Sequence, residues 1–339
     1  MQKKQPTWLG LALAGAALTV APGAAHAEKV TIKLGTLAPE GTEWHTTLLR
    51  MGQRWAEASG KTVELKVFPG GVVGDEGDMV RKIRIGQLHA ASITGLGLGQ
   101  INRATVALQI PMLMQSWEEL DYVRDKLSPE LEKELGDAGY VVLHWADAGW
   151  VHFFSKTPAV TPDDFKKLKL FVWSGDPASE DAWRTAKFNP VPLASTEGMS
   201  ALKSGMVDAF QAAPIFALGT QWYTHAKHMT KVNWTPLNGA TIVSKKQWEK
   251  IPPDVRAKLM EIAKDEGLKI RGVIRKMSDD AIKTMSDRGV KVATPDAAAV
   301  KAWQATANDA YPAIRGKIVP EKYFDAVERL AKEYRAGKR

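Results

Sequence analysis

Residues 253–288 read PDVRAKLMEIAKDEGLKIRGVIRKMSDDAIKTMSDR, and the way this stretch folds decides the architecture. Val255, Leu259, Ile262, Ile270, Val273 and Met277 keep a roughly helical period through to about Arg288. One helix of ~35 residues would be ~50 Å long at 1.5 Å per residue, longer than one small domain is wide. Gly267 and Gly272 are places where it could break into two helices. A single helix braced across two lobes accounts better for the length.

The chain before this helix alternates strand and helix patterns. Val30–Leu34 and Val63–Phe68 alternate apolar with polar residues, as half-buried strands do. Between them, Thr42–Ser59 carries Trp44, Leu48, Met51 and Trp55 on one helical face, and Gly60 ends it. A second helix over Asp75–Ile85 leads through Gly86 to a strand at Ala90–Thr94. Strand–helix–strand–helix–strand at this spacing predicts a parallel sheet covered by helices. Ser116-Trp117-Glu118-Glu119, Thr161-Pro162 and Asp176-Pro177 mark further helix starts. Strands are expected at Tyr140–Trp145, Val151–Ser155 and Lys169–Trp173. The fold class read from the residues is α/β, in two lobes.

Composition excludes much. The 339 residues are 45% apolar and 25% charged, ordinary for a globular protein, with a formal charge of +8. No long basic run or aromatic-interleaved basic motif accompanies that charge, so no nucleic-acid partner is expected. There are no cysteines, which removes disulfides, thiol catalysis and Cys-based zinc sites. Lys3 and Lys4, the apolar Trp8–Val20 and Ala25-His26-Ala27 form the pattern of a secretory signal peptide over residues 1–27, cleaved after Ala27. The product is expected to be exported, soluble and monomeric.

Catalytic patterns are weak. His225 and His228 sit three apart on an expected helix, but no carboxylate pattern completes a metal site. Ser200–Lys203 matches SxxK without the companion motifs of that chemistry. Gly95-Leu96-Gly97-Leu98-Gly99 lacks the spacing of a nucleotide loop and is expected to turn the chain over the sheet edge. No enzyme activity, cofactor or metal is expected. Aromatic residues say more: six of the twelve tryptophans fall between residues 145 and 234. Phe154 and Trp183 read as core. Phe171 and Trp173 lie at the carboxyl end of a strand, where open α/β sheets bind ligands.

Several segments together resemble one family. These are Leu37–Gly41, Phe68–Gly71, Asp78–Gly86, Ile110–Met114, Thr161–Val172 and Ala201–Asp208. In order and spacing they are similar to the periplasmic substrate-binding subunit of TRAP (tripartite ATP-independent periplasmic) transporters, of the DctP type. The resemblance implies a type II periplasmic binding protein fold: two discontinuous α/β lobes, a hinge and a long lobe-spanning helix, closing on a small molecule. It also implies delivery to TRAP integral membrane permease subunits, driven by an ion gradient. The expected division is 28–149 plus about 237–276 for lobe 1, and 150–236 plus about 277–310 for lobe 2. Residues 311–339 are expected to form a C-terminal helix packed across both.

The departures from that family are informative. Carboxylate-binding members have Gly-aromatic-Arg where this chain has Gly149-Trp150-Val151. Their main carboxylate-binding arginine follows a Leu-Lys-apolar run; here Leu168-Lys169-Leu170 is followed by Phe171. Their Asn falls on Ala212. Burying a carboxylate costs several kcal/mol unless it is paired, usually with an Arg fork. Val, Phe and Ala favour apolar contact instead, at about 25 cal/mol per Å² buried. The expected ligand is therefore mostly hydrophobic or aromatic. Val151, Phe171, Trp173 and Ala212 are the expected pocket residues, with Glu40, Trp44, Thr94, Gln211 and Trp234 behind them. The alternative is an organic acid held by polar groups such as Glu40, His45, Thr94, Gln211 and the indole N–H of Trp173 or Trp234. A sensing or chaperone subunit using the same fold is the competing functional class.

Overall fold

The computed structural model describes residues 1–2 and 29–337, so all but the first two residues of the expected signal segment lie outside the described residues. Strand β1 (Val30–Thr36), helix α1 (Glu43–Ala58), β2 (Val63–Phe68), α2 (Glu76–Arg84) and β3 (Ala90–Thr94) follow the anticipated order. Helices α3 (Gly95–Ile101) and α4 (Trp117–Asp137) then lead into the long strand β4 (Tyr140–Ser155). Next come α5 (Pro162–Phe165), β5 (Lys169–Trp173), α6 (Pro177–Thr185), β6 (Asn189–Leu193), α7 (Gly198–Ser204), β7 (Ala209–Ala212) and α8 (Pro214–Gly219). Strand β8 (His228–Ser244), α9 (Lys245–Trp248), α10 (Pro253–Asp287), β9 (Lys291–Ala293), α11 (Ala297–Ile314) and α12 (Glu321–Gly337) complete the chain.

Local chemistry explains many of the boundaries. The side chains of Thr42, Asp75, Ser116 and Asp176 accept hydrogen bonds from backbone N–H groups in the first turns of α1, α2, α4 and α6. Thr161 and Asp164 form a reciprocal capping box at α5. The glycine-rich 95–99 segment is a helix, not the expected turn. Its small residues answer close packing, since a Cβ on Gly97 would come within 2.9 Å of the Glu76 carboxylate and Ile93.

The nine strands form one sheet in the order β2-β1-β3-β8-β4-β7-β5-β6, with β9 alongside β8. Two expected strands, at 140–145 and 151–155, are the ends of the single strand β4. Gly149, with φ +118°, accommodates the irregularity between them, a conformation other residues rarely adopt. Strand β4 pairs antiparallel with β8 along its length, while β3 joins β8 at 239–243 and β7 joins β4 at 152–155. Both halves of the sheet thus share the two crossing strands, which gives the two-lobed type II architecture.

Helix α10 is one uninterrupted helix of 35 residues. Leu259 and Ala263 pack with Ile32, Leu34, Met51 and Trp55 beneath the β1–β2 half. Met285, near its other end, packs with Phe154, Phe210, Trp222 and Met229 beneath the β7 half. Gly267 lets the helix lie against β4, because a Cβ there would press on His144 at 2.5 Å. The expected buried face is off by one residue in the middle: Val273 is 41% exposed and Ile274 is fully buried. Glu266, fully buried on this helix, is held by Arg50 and Arg54 of α1. The 311–339 segment contains the last turn of α11 and all of α12, separated by the Arg315–Val319 bridge and Pro320.

Candidate functional site

The carboxyl ends of four strands converge. Thr36 ends β1, Thr94 ends β3, Trp173 ends β5 and Ala212 ends β7, and all four line one cavity of about 360 Å³. Ligands of open α/β sheets bind at such strand ends, and the volume falls in the range of small-molecule sites. The bends of the crossing strands add Ala146–Ala148 and Val151 from β4 and Trp234, Thr235, Leu237 and Asn238 from β8. Helix α1 contributes Trp44, and α8 contributes Ile215 and Phe216.

Its electrostatics are one-sided. Among the described residues, no Arg, Lys or His lines the cavity, whereas Glu76, Asp147, Asp176 and Glu180 do. Asp147 is neutralised by Arg124 and Arg275 from behind the wall, and Asp176 by the fork of Arg103 at 2.7 and 2.6 Å. Burial pushes the Asp176 carboxyl up, but Arg103 and Ser179 outweigh it and its pKa ends below the ordinary value. Glu76 has no cation partner among the described residues. Burial raises its pKa, against the hydrogen bonds it accepts from the Thr94 and Gly97 N–H groups and the Thr94 hydroxyl.

Most polar groups on the wall are already engaged. The Gln109 amide donates to the Asn238 carbonyl at 2.7 Å, the Asn238 amide donates to the Leu108 carbonyl at 3.1 Å, and the Thr235 hydroxyl donates to the Gln109 carbonyl at 2.8 Å. The Gln211 side chain differs: it is 9% exposed, lines the cavity and makes no hydrogen bond among the described residues.

Residues 34–317 match the family model described as bacterial extracellular solute-binding protein, family 7 (DctP). The chain belongs to the DctP family. A solute-binding protein of Roseobacter denitrificans is 24% identical over 309 residues, covering 89% of this chain and 92% of the relative. A TRAP periplasmic solute-binding protein of Xanthobacter autotrophicus, solved with bound β-D-galacturonate, superposes with a TM-score of 0.82 at 20% identity, over 89% of this chain and 99% of the other. One of Sulfurospirillum deleyianum, solved with succinate, gives 0.81 at 22% identity and the same coverage. DctP-family proteins are periplasmic solute-binding transport proteins, not enzymes, and no helix among the described residues is long and apolar enough to cross a membrane.

Of the residues expected at the site of this DctP-family chain, Val151, Trp173, Ala212, Gln211, Trp44, Thr94 and Trp234 line the cavity. Phe171 and Glu40 do not. Side chains alternate along β5, so Phe171 and Trp173 share a face. Phe171, one step in from the strand end, is 0% exposed and sealed edge-on between Trp173 and Trp222, at ring distances of 5.0 and 4.9 Å. Glu40 is exposed on the loop before α1, and His45 is turned inward, its Nδ1 accepting the Gly41 N–H at 3.1 Å. Trp183, expected in the core, packs against it and also lines the cavity. His225 and His228 do not share a helix: the first caps a short turn and the second opens β8. The described residues hold no group of three or more potential metal ligands. Sequence reading missed Phe216, Asn238 and the α11 wall, which carry no local signal of a pocket.

The Arg103–Asp176 pair joins the β1–β3 half of the DctP-family fold, through the turn after α3, to the α6 N-terminus of the other half. Arg103 is 38% exposed, so solvent screens the pair and its worth is about 1 kcal/mol or less. Arg103→Gln is expected to weaken retention of the bound solute up to about fivefold and to flatten the salt dependence of binding. Titrations at low and high salt would check this.

Proposed function

We propose that this DctP-family protein captures a small, mostly hydrophobic or aromatic molecule and delivers it to TRAP membrane subunits. It belongs, in this reading, to a subgroup without the carboxylate-binding arginine and works as a monomer. The observation that carries the reading is the wall itself: no cation among its described residues, and Trp44, Trp173, Trp183, Phe216 and Trp234 around it. An anion entering would meet Glu76 and Glu180 with no fixed positive charge to compensate its lost hydration. Apolar surface, by contrast, is favoured at about 25 cal/mol per Å². The lobe division at 28–149 plus about 237–276 and 150–236 plus about 277–310, with 311–339 packed across both, is part of the same proposal.

A second reading has specific support. The solved relatives hold galacturonate and succinate, so an organic acid remains the competing ligand class. Here Gln211, Thr94 and the indole N–H groups of Trp173 and Trp234 would have to do the work of arginine. Titration of purified protein with succinate, galacturonate, indole and benzyl alcohol separates the two. The expected result is binding of the aromatic compounds with no competition from the acids. Micromolar succinate or galacturonate binding, indifferent to the aromatic compounds, would overturn the apolar reading. Native mass spectrometry of freshly purified protein should show a co-purified molecule of low polarity.

A further inference from the structure

The cavity has two chemically different ends. Towards the strand ends it carries Thr94, Gln211 and Asn238. Away from them it runs between α6 and α11, which pack on each other. The lining there includes Ala182 and, just past α6, Ala186 on one side, Ala310 and Ile314 on the other, and Ile318 and Val319 in the turn before α12, while the first turn of α6 adds Ser179 and Glu180. None of the six apolar side chains offers a hydrogen bond. Trp183 and Trp234, stacked 5.6 Å apart, also face the cavity. At the polar end, Gln211 is more than nine-tenths buried and its amide has no partner among the described residues. Neither of its amide atoms is sealed from solvent, so both open onto the cavity, where a ligand group can take the place of water.

We propose that the space between α6 and α11 is a subsite for a saturated hydrocarbon tail, so that the cargo is an elongated amphipathic molecule with a neutral polar head on Gln211. This rests on the apolar-cargo reading above and narrows it. The head is a hydroxyl or amide, groups that an amide side chain can both donate to and accept from, or a carbonyl, to which it can donate. The tail gains only by leaving water, so affinity grows with its length until the subsite is filled.

The test is a homologous series of unbranched primary alcohols from butanol to decanol, titrated against the full-length protein by calorimetry or tryptophan fluorescence. Each added methylene is expected to tighten binding about fourfold. Ala186→Phe and Ala310→Leu, on opposite walls, should each cut decanol affinity at least tenfold more than butanol affinity. Thermal melting identifies a variant that fails to fold, and the other wall then carries the test. Gln211→Leu should weaken every alcohol by a similar factor and leave the length dependence in place. A flat response to chain length in the wild type, or an unaltered gradient in both filled variants, overturns the subsite alone. Absence of binding by every alcohol, with tight galacturonate binding, overturns the apolar-cargo reading and the subsite with it.

Discussion

Acidification from pH 7 to pH 4 is expected to lower the unfolding free energy by about 3 kcal/mol for each of two histidines, His144 and His152. Both are buried on β4, and burial drives the pKa of each down to about 4. The Trp145 carbonyl near His144 and the Val232 carbonyl 2.8 Å from His152 Nδ1 pull the other way without reversing it. Lys231 beside His152 adds to the depression, as does Arg271 beside His144, although Glu266 partly offsets the latter. In the unfolded chain each ring titrates near 6.5, so between pH 6.5 and pH 4 the unfolded state holds more protons. Stability therefore rises with pH across that window and is fully present above it. Urea unfolding at half-unit steps from pH 7 to pH 4.5 measures the slope. His152→Leu should remove about half of the contribution of the two rings and the double variant with His144→Leu the rest, leaving the smaller slope of His89 and His228, which burial also depresses. A slope unchanged in the double variant would show that other groups are responsible.

Phe171→Arg is expected to cost at least about 4 kcal/mol and to bring no affinity for succinate or galacturonate. By family resemblance this substitution would restore the missing arginine. The packing argues otherwise. The ring is sealed between Trp173 and Trp222, so the new guanidinium would lose the aromatic contacts and find no carboxylate beside it. Trp173, at the strand end, stands between position 171 and the cavity. Chemical denaturation and calorimetric titration of the variant give both answers. A stable variant that binds galacturonate would mean that position 171 does reach the ligand, and that the chain retains the family's way of holding acids.

Helix starts at Thr42, Asp75, Ser116, Thr161 and Asp176 were legible because a cap bonds to a backbone N–H within three residues of itself. The length of α10 was legible because a helical period is a local property, though its face drifted by the middle, where Ile274 and not Val273 turns inward. The glycine-rich helix α3 was not, since its glycines respond to Glu76 and Ile93, which are distant or buried neighbours. Nor was the unity of β4, which depends on β8 pairing along both of its halves.

The same division runs through the site. Sequence alone determined which side chains were available: no cysteine, small or apolar residues at Val151 and Ala212, and a run of aromatic residues between 145 and 234. These are facts of composition and order, independent of what packs on what. Tertiary structure decided which of them meet. It brought the ends of β1, β3, β5 and β7 to one place, turned Trp183 towards the cavity, covered Phe171 with Trp173 and Trp222, and supplied a wall from α11 more than a hundred residues downstream. Orientation and convergence come from contacts between elements far apart in the chain, and no local pattern encodes them.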